Sequence, residues 1–388
     1  MPLGLKQTLG SMTNGSDDGQ TLVTPIWAMG AALLLALLLV RWIAATATNF
    51  QDLALGDQTQ SVFGALDGDT VFCGSIKQVE ECLGPARRRN LDRRVVWLGN
   101  SQLHAINQAR TGDATAPVQL AAALRTRGVE VLGFSMANAS LVELLVAANF
   151  LESERRIDVL IVPMFLDDTR ILEVRDDLRL ATKPAARRSE LQQLATGRYA
   201  MAQLGAAAAS DAPAASSEPG LQQKSETAIT DTLEQCCGFE SKRRAAHGAI
   251  EVKAYLLRNW AFGITPQSVR PILPVAYQQN MAALEDIFRM ARTNSTRVIA
   301  YVPPLRQDFK PPYDPQQYQA FKAQTQALAR RYGAAWIDFD GLVPGPYWGT
   351  KAATSLGGKP ELDFMHYQEP GHAALARAMA PQVEAALK

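Results

Sequence analysis

Apolar residues along this chain fall into two alternating rhythms. Short, nearly unbroken apolar runs occur at "RRVVWLG", "VEVLGFSM", "IDVLIVPMFL", "RVIAYVPP" and "AAWIDFDGL". Between them, "APVQLAAALRTRG", "ASLVELLVAANFLESER", "YQQNMAALEDIFRMARTN" and "YQAFKAQTQALARRYG" bring apolar side chains back every three or four positions, the period of a helix with one buried face. Runs too short for buried helices fit strands covered on both faces. The order therefore predicts an α/β fold, a doubly wound parallel sheet of five strands. From about residue 176 to 271 the rhythm lapses into an Ala-rich, partly helical insertion, with a soft linker "GAAAASDAPAASSEPG" at residues 205–220.

The N-terminal pattern is different. Residues 1–21 are polar and read as a disordered tail. "LVTPIWAMGAALLLALLLV", Leu22–Val40, carries no charge and is closed by Arg41 and Trp42. That is about the length needed to cross a bilayer, so residues 22–44 are expected to form a transmembrane anchor projecting from the globular part. A cleaved signal peptide is the alternative, because Ala45-Thr46-Ala47 resembles a cleavage site. Residues 45–93 then form a membrane-proximal connector, and residues 94–388 the main domain.

Charge narrows the function classes. The formal net charge is +1, which gives no support for nucleic-acid binding. The one dense basic run, Arg87-Arg88-Arg89 with Arg93-Arg94, reads as a solvated or membrane-facing surface. Among the cysteines, Cys73 and Cys82 are spaced for a disulfide loop if the domain lies outside the cytoplasm, whereas adjacent Cys236 and Cys237 do not have zinc-ligand spacing. No metal or cofactor is expected.

Two short segments carry candidate chemistry. In "WLGNSQLHAIN" the first strand hands over to a helix at Gly99-Asn100-Ser101. Ligands in open parallel sheets sit beyond the carboxyl ends of the strands, so Ser101 is either a cap or an exposed nucleophile. Near the other end, "LDFMHYQEPGH" holds Asp363 three residues before His366, in an apolar-flanked loop. An aspartate can orient the imidazole and stabilise its charged form, and the imidazole can take a proton from a serine. Asn138, after the second strand, is a candidate oxyanion donor. Asp167 and Asp168, after the third, cannot donate when ionised. His104 is a candidate for lining the site, and Arg306 for holding an anionic substrate group. His247 and His372 read as structural. Tyr347–Thr350, "YWGT", is either a sugar platform or loop packing.

These two segments resemble the first and last blocks of the SGNH (GDSL-like) hydrolase superfamily. The anchor, the inserted middle and the final Asp-x-x-His resemble its cell-envelope branch, which includes the teichoic-acid D-alanyl transfer protein and the alginate and cellulose acetylation proteins. The resemblance implies a flavodoxin-like sheet, with Ser101 as nucleophile, His366 as general base and Asp363 as its orienting partner. It also implies a periplasmic domain held at the cytoplasmic membrane, an envelope polysaccharide or acyl-carrying polymer as substrate, and a multipass membrane acyltransferase as partner. Three activities stay open: acyl transfer through an acyl-Ser101 intermediate, plain deacylation with water as acceptor, and non-catalytic polymer binding during assembly.

Overall fold

The computed structural model describes residues 35, 38, 58–89, 91–211, 239–355 and 357–388, with side chains left out at 206–211 and 239–248. Among the described residues no helix is long and apolar enough to cross a membrane. The expected anchor, apart from Leu35 and Leu38, lies outside them, as do Cys236, Cys237 and the His247 side chain.

The main sheet has six parallel strands: β1 (Phe72–Cys73), β2 (Arg93–Gly99), β3 (Val129–Ser135), β4 (Val159–Pro163), β5 (Arg297–Val302) and β6 (Ala335–Asp338). Their spatial order is β6-β5-β4-β2-β3-β1. The five strands expected from the apolar runs are all present, and their order reverses direction at β2, the switch point where open α/β sheets hold ligands. The sixth, β1, corrects the expected count. It comes from the stretch read as a connector and pairs only Phe72 with Gly133 and Cys73 with Phe134. Two residues are too few to show any periodicity. The close approach needs Gly133, because a Cβ there would sit 2.5 Å from the Phe72 ring.

Alternation along the strands explains the two-faced core. Val96, Leu98, Leu132, Phe134, Leu160, Val162, Ala300 and Val302 point into one apolar cluster, while Val95, Trp97, Val131, Val159, Ile161, Ile299 and Tyr301 point into another. The first is covered by helices Leu141–Glu154, Pro274–Thr293 and Pro315–Tyr332, the second by Ala116–Arg125 and Glu369–Ala386. Trp97 donates its indole N–H to the buried Tyr301 hydroxyl at 3.1 Å, so these two polar tips satisfy each other within the core. Within the insertion the described residues form helices Ala185–Gln193, Ala195–Asp211 and Phe239–Ala261 and a loop over 262–271.

The arginine run is not a free basic face. Arg94 is buried and its Nε donates to Glu130 at 3.0 Å, Arg89 bridges Glu130 and Asp69, and Arg87 pairs with Glu80 and Glu154. Apart from Glu80, these carboxylates are 20 or more residues away in sequence, which is why the run reads as unpaired from sequence alone. Cys73 and Cys82 are bridged, tying the edge strand to helix Val79–Arg89.

Glu130 also faces Arg155 at 3.8 Å, so one buried carboxylate serves several guanidinium groups. Glu130→Ala strands Arg94 in the interior, and the expected loss is about 3–5 kcal/mol of stability by denaturant unfolding.

Candidate active site

The first side chain of the site follows from a tight corner at the end of β2. Gly99 is required there, since a Cβ would lie 2.5 Å from Leu103. Asn100 stays extended, and its Oδ1 accepts the Gln102 N–H at 3.0 Å, starting the four-residue helix Ser101–His104. Asn100 Nδ2 donates to both oxygens of Asp168, at 2.9 and 3.0 Å, and Gln102 Nε2 donates to the Pro304 carbonyl at 2.8 Å. The corner is thus braced from the segments that follow β4 and β5. Asp168 does not point at the reacting side of the corner; its role is to hold Asn100. Burial lifts its pKa well above the carboxylate range, even though the Asn100 hydrogen bonds favour the ionised form.

The second element corrects the expected loop. Asp363 and His366 lie within an antiparallel strand, Glu361–Tyr367, paired with Trp348–Lys351. Its register jumps: Trp348 faces Tyr367 and Thr350 faces Leu362, so residues 363–366 all bulge opposite Gly349. In a regular strand, residues three apart point to opposite faces. Within the bulge Asp363 Oδ1 instead accepts the N–H groups of Met365 at 2.8 Å and His366 at 3.1 Å, folding the segment back on its own carboxylate. Asn107 wedges in beside it, donating to the Thr350 carbonyl at 2.9 Å and to Asp363 Oδ2 at 3.4 Å. A Cβ at Gly349 would fall 1.9 Å from Asn107, so the wedge depends on glycine.

The two segments meet. His366 Nδ1 lies 3.0 Å from Asp363 Oδ2, and His366 Nε2 lies 3.1 Å from Ser101 Oγ. Burial pushes Asp363 upward, but the charge and hydrogen bonds of His366 and the two backbone N–H groups outweigh it, leaving the net pKa below the ordinary value. An ionised carboxylate only accepts, so the proton sits on Nδ1 and Nε2 is free to accept from the serine hydroxyl. All three side chains line a cavity of about 680 Å³, with insertion residues Tyr255 and Arg258 and loop residues 264–266 and 268–271 on its far wall.

The other expected site residues divide. Asn138 lines the cavity in the left-handed backbone region, φ 52°, which Asn tolerates well. Its turn is pinned by Arg175, which donates to the Ala137 carbonyl at 2.9 Å and pairs with Glu143 at 2.8 Å. His104 is not on the cavity wall. It is buried, stacked on Phe63 and 2.7 Å from the Ser135 hydroxyl, and burial pulls its pKa down to about 3. Its position in the first helical turn could not show that the turn faces inward. Arg306 is also withdrawn from the cavity: it pairs with Asp308 at 2.7 Å and donates to the carbonyls of Gly349 at 2.9 Å and Asp363 at 3.4 Å. It clamps the bulge, a task that strand position alone does not reveal. Trp348 packs edge-on against Tyr367, with its N–H on the Val343 carbonyl, rather than offering a platform. His372 is buried between the Ala116 N–H and the Ala105 carbonyl, a structural position. Asn107, Lys351 and Arg258 carried no signal in the sequence beyond their own chemistry. Among the described residues no group of three His, Cys, Asp or Glu side chains could hold a metal ion.

No family model and no curated protein matches the chain. Solved structures similar to it include TesA (12% identity, 76% of this chain and 100% of that one, TM-score 0.36). A GDSL-like lipase from Bacteroides thetaiotaomicron (11%, 80% and 97%, TM-score 0.35) is also similar. So is Axe2, an acetylxylan esterase from Geobacillus stearothermophilus (9%, 75% and 94%, TM-score 0.34).

The Asp168 carboxyl has a testable signature. A folded pKa above the unfolded value means that its contribution to stability is complete below the ordinary aspartate range, about pH 4, and is lost as pH rises toward the folded value. Asp168→Asn cannot ionise and keeps an acceptor for Asn100. Melting between about pH 5 and about pH 8 is expected to fall more for the wild type than for this variant.

Proposed function

We propose that the chain is a serine O-acyl ester enzyme of the SGNH type, working through an acyl-Ser101 intermediate. The observation that carries this is the hydrogen-bonded line Asp363–His366–Ser101, whose ends are 262 or more positions apart and which opens on a cavity. No local sequence pressure makes these groups meet. In the proposed reaction the Ser101 hydroxyl attacks the ester carbonyl while His366 Nε2 takes its proton. The tetrahedral oxyanion is held by the Ser101 backbone N–H and the Asn138 side chain. Collapse expels the alcohol, to which His366 returns the proton, leaving the acyl group on Ser101. A second hydroxyl, of water or of an acceptor, then repeats the sequence in reverse. Asp363 keeps His366 in the working tautomer and stabilises the imidazolium that forms with each tetrahedral intermediate.

Transfer to an envelope polymer is the preferred outcome over release to water. The apolar Leu22–Val40 run supports a membrane-held enzyme, and the Cys73–Cys82 bridge supports a domain outside the cytoplasm, in an oxidising compartment. The acyl donor would then be supplied through a multipass membrane acyltransferase.

Incubation with an activated acetyl ester is expected to give an acetylated protein by mass spectrometry, mapping to Ser101. Ser101→Ala abolishes the adduct and lowers turnover by roughly a million-fold, the scale of serine knockouts in such triads. Unchanged turnover would sink the proposal. Asp363→Asn preserves the shape but presents the wrong tautomer, and kcat is expected to fall by on the order of 10⁴. Acetyl recovered on an added polysaccharide rather than as acetate distinguishes transferase from deacylase. Polymer binding without any adduct would favour the assembly-protein reading.

A further inference from the structure

The cavity wall around Ser101 is strongly biased in charge. Arg170, Arg258, Arg270 and Lys351 line it, and the only carboxylate among the described residues on the same wall, Asp363, is committed to His366. The four cations come from separate parts of the fold. Arg170 follows β4, Arg258 lies on the insertion helix Phe239–Ala261, Arg270 is in the loop after it, and Lys351 ends the strand facing the bulge. Such convergence differs from a charge run on one solvated helix.

Their partners show which are available. Arg270 is neutralised by Asp167. Arg170 donates to the Pro271 carbonyl, and Arg258 donates to Asn259 Oδ1 at 2.8 Å while its guanidinium lies 4.6 Å from the Tyr255 ring centre. The Lys351 ammonium lies 5.8 Å from the Phe364 ring centre. Among the described residues, no carboxylate forms an ion pair with Arg170, Arg258 or Lys351. Lys351 is also largely withdrawn from water, and burial pulls its pKa below the ordinary lysine value against the opposing pull of Asp363 and Glu361. A desolvated cation without a counter-ion is costly, and a ligand anion in the cavity would offset that cost.

We infer that the cavity takes an ester whose alcohol portion is anionic, with its carboxylate or phosphate groups held by Lys351, Arg258 and Arg170 beside the acyl group presented to Ser101. The neutralised Arg270 shapes the wall next to Phe364, over whose ring its guanidinium lies at 5.1 Å. This names the substrate class for the acyl-Ser101 reading and rests on that reading.

The test compares three acetylated oligomers of matched length and acetyl content: galacturonate, xylose and glycerol phosphate. The wild-type enzyme is expected to deacetylate at least one anionic oligomer with kcat/KM about tenfold or more above the neutral xylose oligomer, the scale of one charge-assisted contact. The advantage should shrink as salt is raised. The galacturonate and phosphate arms report which oxyanion is preferred. Binding to Ser101→Ala protein, measured by calorimetry, should show the same order without turnover. In Lys351→Met combined with Arg258→Met, the anionic-to-neutral ratio should collapse toward one. Equal use of anionic and neutral oligomers by the wild type, or a ratio unchanged in the double variant, overturns the inference while leaving Ser101 as nucleophile. Absence of an acetyl-Ser101 adduct from the activated ester instead overturns the underlying reading.

Discussion

Everything at this site depends on keeping the Asp363 carboxylate charged while it is buried. An isolated carboxylate in such a place would take up a proton, and His366 would then lose both its orientation and its electrostatic support. The structure prevents this by concentrating donors: two backbone N–H groups of the bulge, the Asn107 amide and the imidazole itself. The donors require the register jump opposite Gly349. The jump in turn requires that no side chain grow at that glycine, and that Arg306 hold the Gly349 and Asp363 carbonyls from behind. The bulge is therefore a built device, not an irregularity at a sheet margin.

The serine side solves a different problem. Ser101 must stand free at the end of a fully buried strand, and the chain turns there within two residues. Asn100 does this by serving two partners at once, capping Gln102 with its oxygen and gripping Asp168 with its nitrogen. The resemblance to SGNH proteins leads one to expect an amide donor after the third strand, and Asp168 sits there as an acid instead. Its position explains the exchange: it accepts from Asn100 rather than donating toward the cavity. On the cavity side, Asn138 stands in a turn that Arg175 holds in place.

Four of the expected strands were legible because burial on both faces leaves continuous apolar runs, and the fifth, the partly exposed edge strand Ala335–Asp338, because it follows a long amphipathic helix. The meeting of Ser101, Asp363 and His366 was anticipated because a serine just past a strand end and an Asp-x-x-His pair are a chemically restricted set. What could not be read were relations between distant segments. β1 is two residues long and exists only because Gly133 lets Phe72 approach. The arginines near the start of β2 look exposed until Glu130, Asp69 and Glu154 come to meet them. His104 and Arg306 have the right chemistry for a binding wall, yet Ser135 and Asp308 claim them. Lys351 looks like any surface lysine in sequence and becomes notable only when the hairpin turns it toward the cavity.

The short strand Thr59–Ser61 pairs antiparallel with Ala105–Asn107, the three residues that follow the Ser101 helix, and Ser61 itself reaches the cavity. The chain therefore enters the fold at the rim of the site, not at its far pole. Any object attached upstream of this strand is leashed beside the mouth through which substrate must pass. Tension on that leash would peel the three-residue ladder from its outer end one pair at a time, long before it loaded the central sheet. Asn107, the wedge beneath Asp363, is the partner at the first rung to be strained. Asn107 thus belongs at once to the ladder of this outermost strand and to the donors gathered around Asp363.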